Sequence, residues 1–318
     1  MNYLITGGCG FLGCALVKRI LEDNPEGWVQ VLDNLSVGTR EDLEATASGR
    51  GAVDLLVGDV RDVDICLRSA KDADVIVHLA ANTGVGPSVE DPIADMENNV
   101  AGTLNMLEAA RQNRVDRFVF ASSGAPVGEV EPPIHEDLVP RPVSPYGASK
   151  LAGEGYCSAY FRSFDVRTVA LRFGNVYGPG SNRKNSVVAK FIKYILGGKQ
   201  LPIYGDGTQT RDFIYIGDIV QAILLAVERP DIGGELFQIA THREHTVAEV
   251  ADVLNRLAEK HLGRRSEIIY EDERKGEVRR NYSDITKARR MLGFEPRWGL
   301  EKGLERTFIW FLENQSKV

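Results

Sequence analysis

The sequence predicts an α/β fold in which a doubly wound parallel sheet is followed by a smaller α/β C-terminal lobe. Two observations carry that reading. Short apolar runs alternate with helix-length segments through the first 172 residues, and a glycine-rich turn joins the first strand to the first helix. A chain of 318 residues accommodates about two domains and a sizeable core. Its 43% hydrophobic and 26% charged residues exclude wholesale disorder and a fibrous repeat.

Strands are expected over residues 3–6, 28–33, 54–59, 75–80, 118–122 and 166–172. Continuous apolar runs such as Val75-Ile76-Val77 suit strands buried on both faces, so helices must cover both sides of the sheet. One such helix is expected over 99–113, where Val100, Leu104, Leu107 and Ala110 recur near helical spacing. Beyond Phe173 the pattern turns irregular, with Gly178-Pro179-Gly180, a turn at Tyr204-Gly205-Asp206-Gly207, and helices near 187–196 and 247–261. Residues 212–229 again read as a strand entering an apolar helix that returns to the first domain. The expected division is therefore 1–174 with 210–235 for one domain, and 175–209 with 236–318 for the other.

The net charge of −7 provides no basic footprint for nucleic acid, although a local cationic cleft for a phosphorylated ligand fits an acidic shell. No segment approaches the ~18 uninterrupted apolar residues of a membrane span. The chain opens almost directly on Tyr3-Leu4-Ile5 without a signal-type stretch, so a cytoplasmic protein with no membrane partner is expected. Cys9, Cys14, Cys66 and Cys157 lack metal-ligand spacing and read as reduced thiols; no metal is expected.

The segment Ile5-Thr6-Gly7-Gly8-Cys9-Gly10-Phe11-Leu12-Gly13 satisfies G-x-G-x-x-G at a strand end, opening a helix with Leu16, Val17, Ile20 and Leu21 on its apolar face. In that context glycines permit a tight turn and a close backbone approach, and the helix N-terminus attracts a pyrophosphate: the Rossmann arrangement for a dinucleotide. Asp33 ends the second strand twenty residues after Gly13, where a carboxylate accepts bonds from the adenosine ribose and selects NAD over its 2′-phosphate. Arg40 is the nearest cation that could rescue the phosphorylated form. Asp59-Val60 at the third strand end either reaches an adenine or forms a simple turn.

Ser144-Pro145 reads as a cap followed by proline at the first helical position, which places Tyr146 and Lys150 one turn apart on one helix face. A tyrosine needs its pKa lowered from near 10 to act as a base at neutral pH. One ammonium about 4 Å away, at an effective dielectric of about 20, is worth roughly 4 kcal/mol toward that before desolvation is subtracted. Ser122-Ser123 end the fifth strand, at the carboxyl edge that faces a ligand crevice, where a serine could hold a substrate hydroxyl or simply cap a turn.

These motifs resemble those of the extended short-chain dehydrogenase/reductases, and within them the NAD-dependent nucleotide-sugar epimerases and dehydratases. The resemblance spans essentially the whole chain: the Gly7/Gly10/Gly13 loop, Asp33-Asn34-Leu35-Ser36, His78-Leu79-Ala80-Ala81, Asn99-Val100-Ala101-Gly102-Thr103, Ser122-Ser123, Tyr146/Lys150, 172–180 and Arg211-Asp212-Phe213. It implies Tyr146 as base, Lys150 as holder of the nicotinamide ribose, and Ser123 as holder of the sugar hydroxyl. It extends the NAD contacts to Phe11, Leu12, Asn34, Gly38, Asp59, Val60, Leu79, Ala80, Ala81 and Asn99, and it reads His78 as a core histidine. Thr83, Ser122, Asn175, Arg183, Val187, Arg211, Arg274 and Asn281 are implied for a UDP-sugar, and a homodimer is implied through helices at 99–113 and 146–162.

Within that family, the residues after the catalytic serine choose the reaction. Dehydratases carry an acid pair there and decarboxylases usually a glutamate, whereas this chain has Gly124-Ala125. The expected activity is therefore 4-epimerisation of a UDP-sugar through a 4-keto intermediate. The alternatives are a 4,6-dehydratase, a UDP-glucuronate decarboxylase, and a noncatalytic NAD-binding regulator. Asn281, seven residues beyond Arg274, falls on the family's pocket gatekeeper, and its small size would admit N-acetylated or uronic-acid sugars, with Arg183 or Lys184 facing a carboxylate.

Overall fold

The computed structural model of the chain describes residues 1–273 and 279–315. A seven-stranded parallel sheet forms the first domain from β1 (Tyr3–Thr6), β2 (Trp28–Asp33), β3 (Ala52–Val57), β4 (Val75–His78), β5 (Arg117–Ser123), β6 (Arg167–Phe173) and, after four short strands of the second lobe, β11 (Glu235–Ile239). Its order is β3-β2-β1-β4-β5-β6-β11. The strand order reverses between β1 and β4, and this switch point opens a crevice at the carboxyl ends of those strands.

Alternation along each strand builds two cores. Ile5, Val31, Val77 and Val119 face one side, packing on Leu16, Val17 and Ile20 of α1 (Phe11–Asp23) and Ile219 and Ile223 of α9 (Ile216–Glu228). Leu4, Leu32, Ile76 and Phe118 face the other, packing on Met106 and Leu107 of α6 (Gly102–Asn113) and Tyr160 of α7 (Pro145–Phe164). Short helices α2 (Arg40–Ala47), α3 (Val63–Ser69), α4 (Val85–Glu90) and α5 (Pro92–Met96) complete these layers. The second lobe has its own core, formed by α8 (Val187–Leu196), α10 (Val247–Leu262) and α12 (Leu300–Glu313) around the short strands β7 (Asn175–Tyr177), β8 (Leu201–Tyr204), β9 (Thr210–Arg211), β10 (Phe213–Tyr215), β12 (His245–Thr246) and β13 (Ile268–Glu271).

Local signals in the sequence explain the ends of the long helices. Ser144 accepts from the Gly147 N–H at 3.1 Å and Pro145 follows it. Thr246 and Glu249 form a reciprocal capping box on α10, which stops at Gly263 with φ 65°.

Four boundaries differ from expectation. The third strand runs over Ala52–Val57 rather than 54–59, which leaves Asp59-Val60 in the turn beyond it. The fourth strand stops at His78, because the Ala80 N–H turns to the Thr6 hydroxyl (3.1 Å) rather than to a neighbouring strand. The helix expected from 99 begins with a π-helical turn, Glu97–Ala101, ahead of α6. The chain also returns to the first domain further than expected. β11 pairs with β6 through Ile239, and Ile285, Ala288, Leu292 and Phe294, around α11 (Thr286–Leu292), join the first-domain core. The 210–235 segment therefore ended too early, since an edge strand of five residues and one short helix carry little periodic signal. Among the described residues no helix is long and apolar enough to cross a membrane, and no group of three or more His, Cys, Asp or Glu could hold a metal ion.

Candidate active site

A cleft of about 1890 Å³ runs along the carboxyl ends of the sheet and under the second lobe. Ligand pockets commonly measure about 300–1000 Å³, so this one has room for a dinucleotide and a second ligand together. Gly7, Gly10, Phe11, Leu12 and Gly13 form its floor. The turn is as tight as its glycines allow. Gly7 has φ 68°, and a Cβ there would lie 2.8 Å from the Ala80 nitrogen, while one on Gly13 would lie 2.3 Å from the Gly7 oxygen. α1 starts at Gly10 without a side-chain cap, so its first N–H groups face the cleft as an anion site. These features fit the pyrophosphate of NAD.

Asp33 borders the cleft beside that turn; its carboxylate accepts from the Cys9 N–H (2.9 Å) and the Leu35 N–H (2.8 Å). Asn34, Gly38, Val60, Leu79, Ala80 and Ala81 border it as well, whereas Arg40 does not. Two expected contacts lie off the cleft. Asp59 is held by both arms of Arg61 (2.9 Å each), which keep its carboxyl well below the usual range. Asn99 is buried behind the 80–82 turn: its amide donates to the Asn82 carbonyl and to Asp95 Oδ1 (2.9 Å each) and accepts from the Asn82 N–H at 2.7 Å. It braces the wall of the site without facing a ligand.

His78 sits beneath the same wall, bonded to Thr6 (2.8 Å) and Thr103 (3.1 Å), and burial, reinforced by the Lys150 charge, pushes its pKa down to about 3. Between pH 6.5 and about 3 the unfolded chain therefore holds a proton there that the folded chain does not. Stability is expected to fall as pH drops through that window, with this histidine contributing up to about 1.4 kcal/mol per pH unit. Denaturant unfolding across that range, compared with His78→Gln, measures its share; identical slopes would remove it.

Tyr146, Lys150, Ser122 and Ser123 all border the cleft at the end of β5. The close packing of α7 on β5, where a Cβ on Gly153 would lie 2.4 Å from the Phe120 ring, sets their register. Ser123 stands near enough to the Tyr146 phenol to act on its titration, and its hydroxyl accepts from the Ala125 N–H at 3.2 Å. Lys150 is buried, donates to the Ala121 carbonyl at 2.8 Å, and its ammonium lies 6.0 Å from the Tyr146 ring centroid. Burial pushes the Tyr146 pKa up, Ser123 pulls it down, and Asp95 raises it further. Burial also brings Lys150 itself down to about 8. Ser122 is committed elsewhere: its hydroxyl donates to Glu154 at 2.5 Å, and Glu154 pairs with buried Arg172 at 2.7 Å.

From the second lobe, Asn175, Val187 and Arg211 face the cleft, and Thr83 faces it from the first domain. Arg183 also borders the cleft and crosses it to the first domain, donating to the Val37 carbonyl and pairing with Asp42 at 2.9 Å. Asn281 does not border the cleft; its neighbour Tyr282 accepts from the Ile134 N–H and Arg280 pairs with Glu244 and Glu131, a surface strip that turns the expected gatekeeper away. Arg274 lies outside the described residues. Sequence reasoning missed Trp298 and Arg306, which border the cleft with the Tyr215 ring 4.4 Å from that of Trp298. No spacing signal marks them, because they enter from the chain's last eighth.

Residues 3–240 match the NAD dependent epimerase/dehydratase family. The chain belongs to this family. A UDP-glucose 4-epimerase of Mycolicibacterium smegmatis is 36% identical over the full length of both chains. The structure of a UDP-glucose 4-epimerase from Thermotoga maritima with UDP-glucose is 35% identical, with TM-score 0.90, covering 99% of this chain and 100% of that one. A UDP-N-acetylglucosamine 4-epimerase from Methanobrevibacter ruminantium, in complex with UDP-N-acetylmuramic acid, superposes with TM-score 0.90 at 32% identity and 98% coverage of each chain. As a member of an NAD-dependent family with a glycine turn and Asp33 in place, the chain uses NAD.

Proposed function

We propose that this member of the family is an NAD-dependent epimerase that inverts carbon 4 of a UDP-sugar, a hexose, N-acetylhexosamine or uronic acid, through a 4-keto intermediate. The observation that carries the reading is the Ser123–Tyr146–Lys150 group at the end of β5, beside which, among the described residues, no carboxylate opens onto the cleft: Asp95 and Glu154 lie behind it, off the cleft. Among the described residues the carboxylates bordering the cleft are Glu22, Asp33, Asp42 and Asp218. Asp33 is bound to the glycine turn, Asp42 to Arg183, and Asp218 to the Arg297 and Trp298 N–H groups, while Glu22 lies on the outer end of α1. None stands beside Ser123 to expel water, and the residues after it, Gly124-Ala125, form a bare turn in which Ala125 N–H donates to Ser123 Oγ at 3.2 Å.

Tyr146 takes the proton from the sugar hydroxyl at carbon 4 and returns it, while Ser123 holds that hydroxyl in line with the phenol. NAD, when bound, supplies the hydride acceptor and donor together with a positive charge near the phenol. Lys150 anchors the nicotinamide ribose with its ammonium, already fixed by the Ala121 carbonyl. Asn175, Val187 and Arg211 hold the nucleotide diphosphate, for which an arginine's planar donors are suited. A homodimer fits the exposed apolar strip Val89, Ile93, Met96 and Tyr156 on α4, α5 and α7, and light scattering would read it as twice the chain mass. A cytoplasmic location fits the retained cofactor.

Incubating the purified protein with UDP-glucose, UDP-N-acetylglucosamine and UDP-glucuronate, without added NAD, is expected to give the carbon-4 epimer of at least one at unchanged mass. NMR reads the stereochemistry. Loss of water or carbon dioxide would instead assign a dehydratase or decarboxylase.

A further inference from the structure

Lys184 is a cation that borders the cleft with no anion beside it among the described residues. Its ammonium stands 5.2 Å from the ring centroid of Phe11, the first residue of α1, and no carboxylate or hydrogen-bond acceptor partners it among the described residues. The loop that carries it is firmly built. Buried Ser181 donates to the Gly178 carbonyl at 2.7 Å, and Lys193 of α8 donates to the carbonyls of Asn182 (3.1 Å) and Lys184 (3.0 Å). Arg183 straps the loop across the cleft onto Val37 and Asp42. Gly180, with φ 87°, brings it down onto the first domain, where a Cβ would lie 3.6 Å from the Phe11 ring. The strap thus lands on both flanks of the glycine turn.

That turn has no cation of its own: residues 7–13 carry none, and the first basic residue of α1 is Lys18. A helix N-terminus supplies the equivalent of only about half a charge, against the two of a diphosphate. We propose that Lys184, held in place by the Arg183 strap, neutralises the diphosphate of NAD at the N-terminus of α1. Burial holds the lysine pKa below its ordinary value, a cost that an anion beside it would relieve. The cofactor would then be gripped by the lobe that also holds the nucleotide sugar, which suits a reaction that must return hydride to the sugar it came from. This inference deepens the epimerase reading but is read on NAD alone.

The test is NAD release from the holoenzyme into excess scavenger, at low and high salt and without any sugar. Lys184→Met is expected to release NAD about ten- to a hundredfold faster, with a flatter salt dependence, and to weaken binding of ADP-ribose by the same factor. Lys184→Arg is expected to keep most of the wild-type retention, and Arg183→Gln to show a smaller acceleration. Unchanged retention in Lys184→Met overturns the proposal, whether or not KM for UDP-glucuronate rises; such a rise would give the lysine to a sugar carboxylate. Absence of epimerisation by the wild-type protein would sink the functional reading and leave this result standing.

Discussion

Replacing Tyr146 by phenylalanine is expected to lower kcat by about a thousandfold, within the range of roughly a hundred- to ten-thousandfold for a positioned acid–base group. The ring stays, so the packing of α7 on β5 is preserved, and only the hydroxyl near Ser123 is lost. KM for the UDP-sugar and the NAD content of the purified protein are expected to change little, because the diphosphate and the adenosine meet other residues. Steady-state kinetics together with NAD released on denaturation read both quantities. Turnover at near wild-type rate would show that another group moves the proton. In the unliganded chain the phenol is pushed above its ordinary value by burial. A bound pyridinium beside the phenol would favour the phenolate, and kcat is expected to rise with pH as the phenolate forms.

Replacing Glu154 by alanine is expected to cost about 3–5 kcal/mol of stability, the loss typical of removing one partner from a buried ion pair. Glu154 accepts from the Ser122 hydroxyl and from two nitrogens of Arg172, whose side chain is 1% exposed. Without the carboxylate that guanidinium is left desolvated, with a charge nothing else in its surroundings answers. The effect reaches function because Tyr146, Lys150 and Glu154 are successive i, i+4 residues on one face of α7. Glu154 ties that face to the ends of β5 and β6 at Ser122 and Arg172, so kcat is expected to fall with stability. Chemical denaturation measures the first and kinetics the second. The double variant Glu154→Leu with Arg172→Leu, which removes both charges, is expected to be less destabilised than Glu154→Ala; a loss below about 1 kcal/mol in the single variant would show the pair to be dispensable.

Much of the site was legible because it rests on short-range rules. The turn from Gly7 to Gly13, Asp33 at the end of β2, the Ser144 cap and the Tyr146/Lys150 spacing are each set within a few residues, and each stands in the structure where local geometry placed it. Asp59, Asn99 and Asn281 do not border the cleft, for a different reason. Arg61 holds the Asp59 carboxylate, the Asn82 backbone holds the Asn99 amide, and beside Asn281 the Tyr282 carbonyl accepts from the Ile134 N–H, partners that sequence distance hides or proximity outcompetes. Arg183 shows this most plainly, since its partner Asp42 is 141 residues away in the chain.

The sequence by itself determined the sheet, its dinucleotide turn and the helix that pairs a tyrosine with a lysine, because periodicity, glycine conformation and capping act over a few residues. Only the tertiary structure decided which charges share the cleft. It turned Arg183 onto α2, left Lys184 over the Phe11 ring at the start of α1, and closed Glu154 on Arg172. Desolvation and ion pairing depend on what lies within a few ångströms in space, and chain order does not specify that distance.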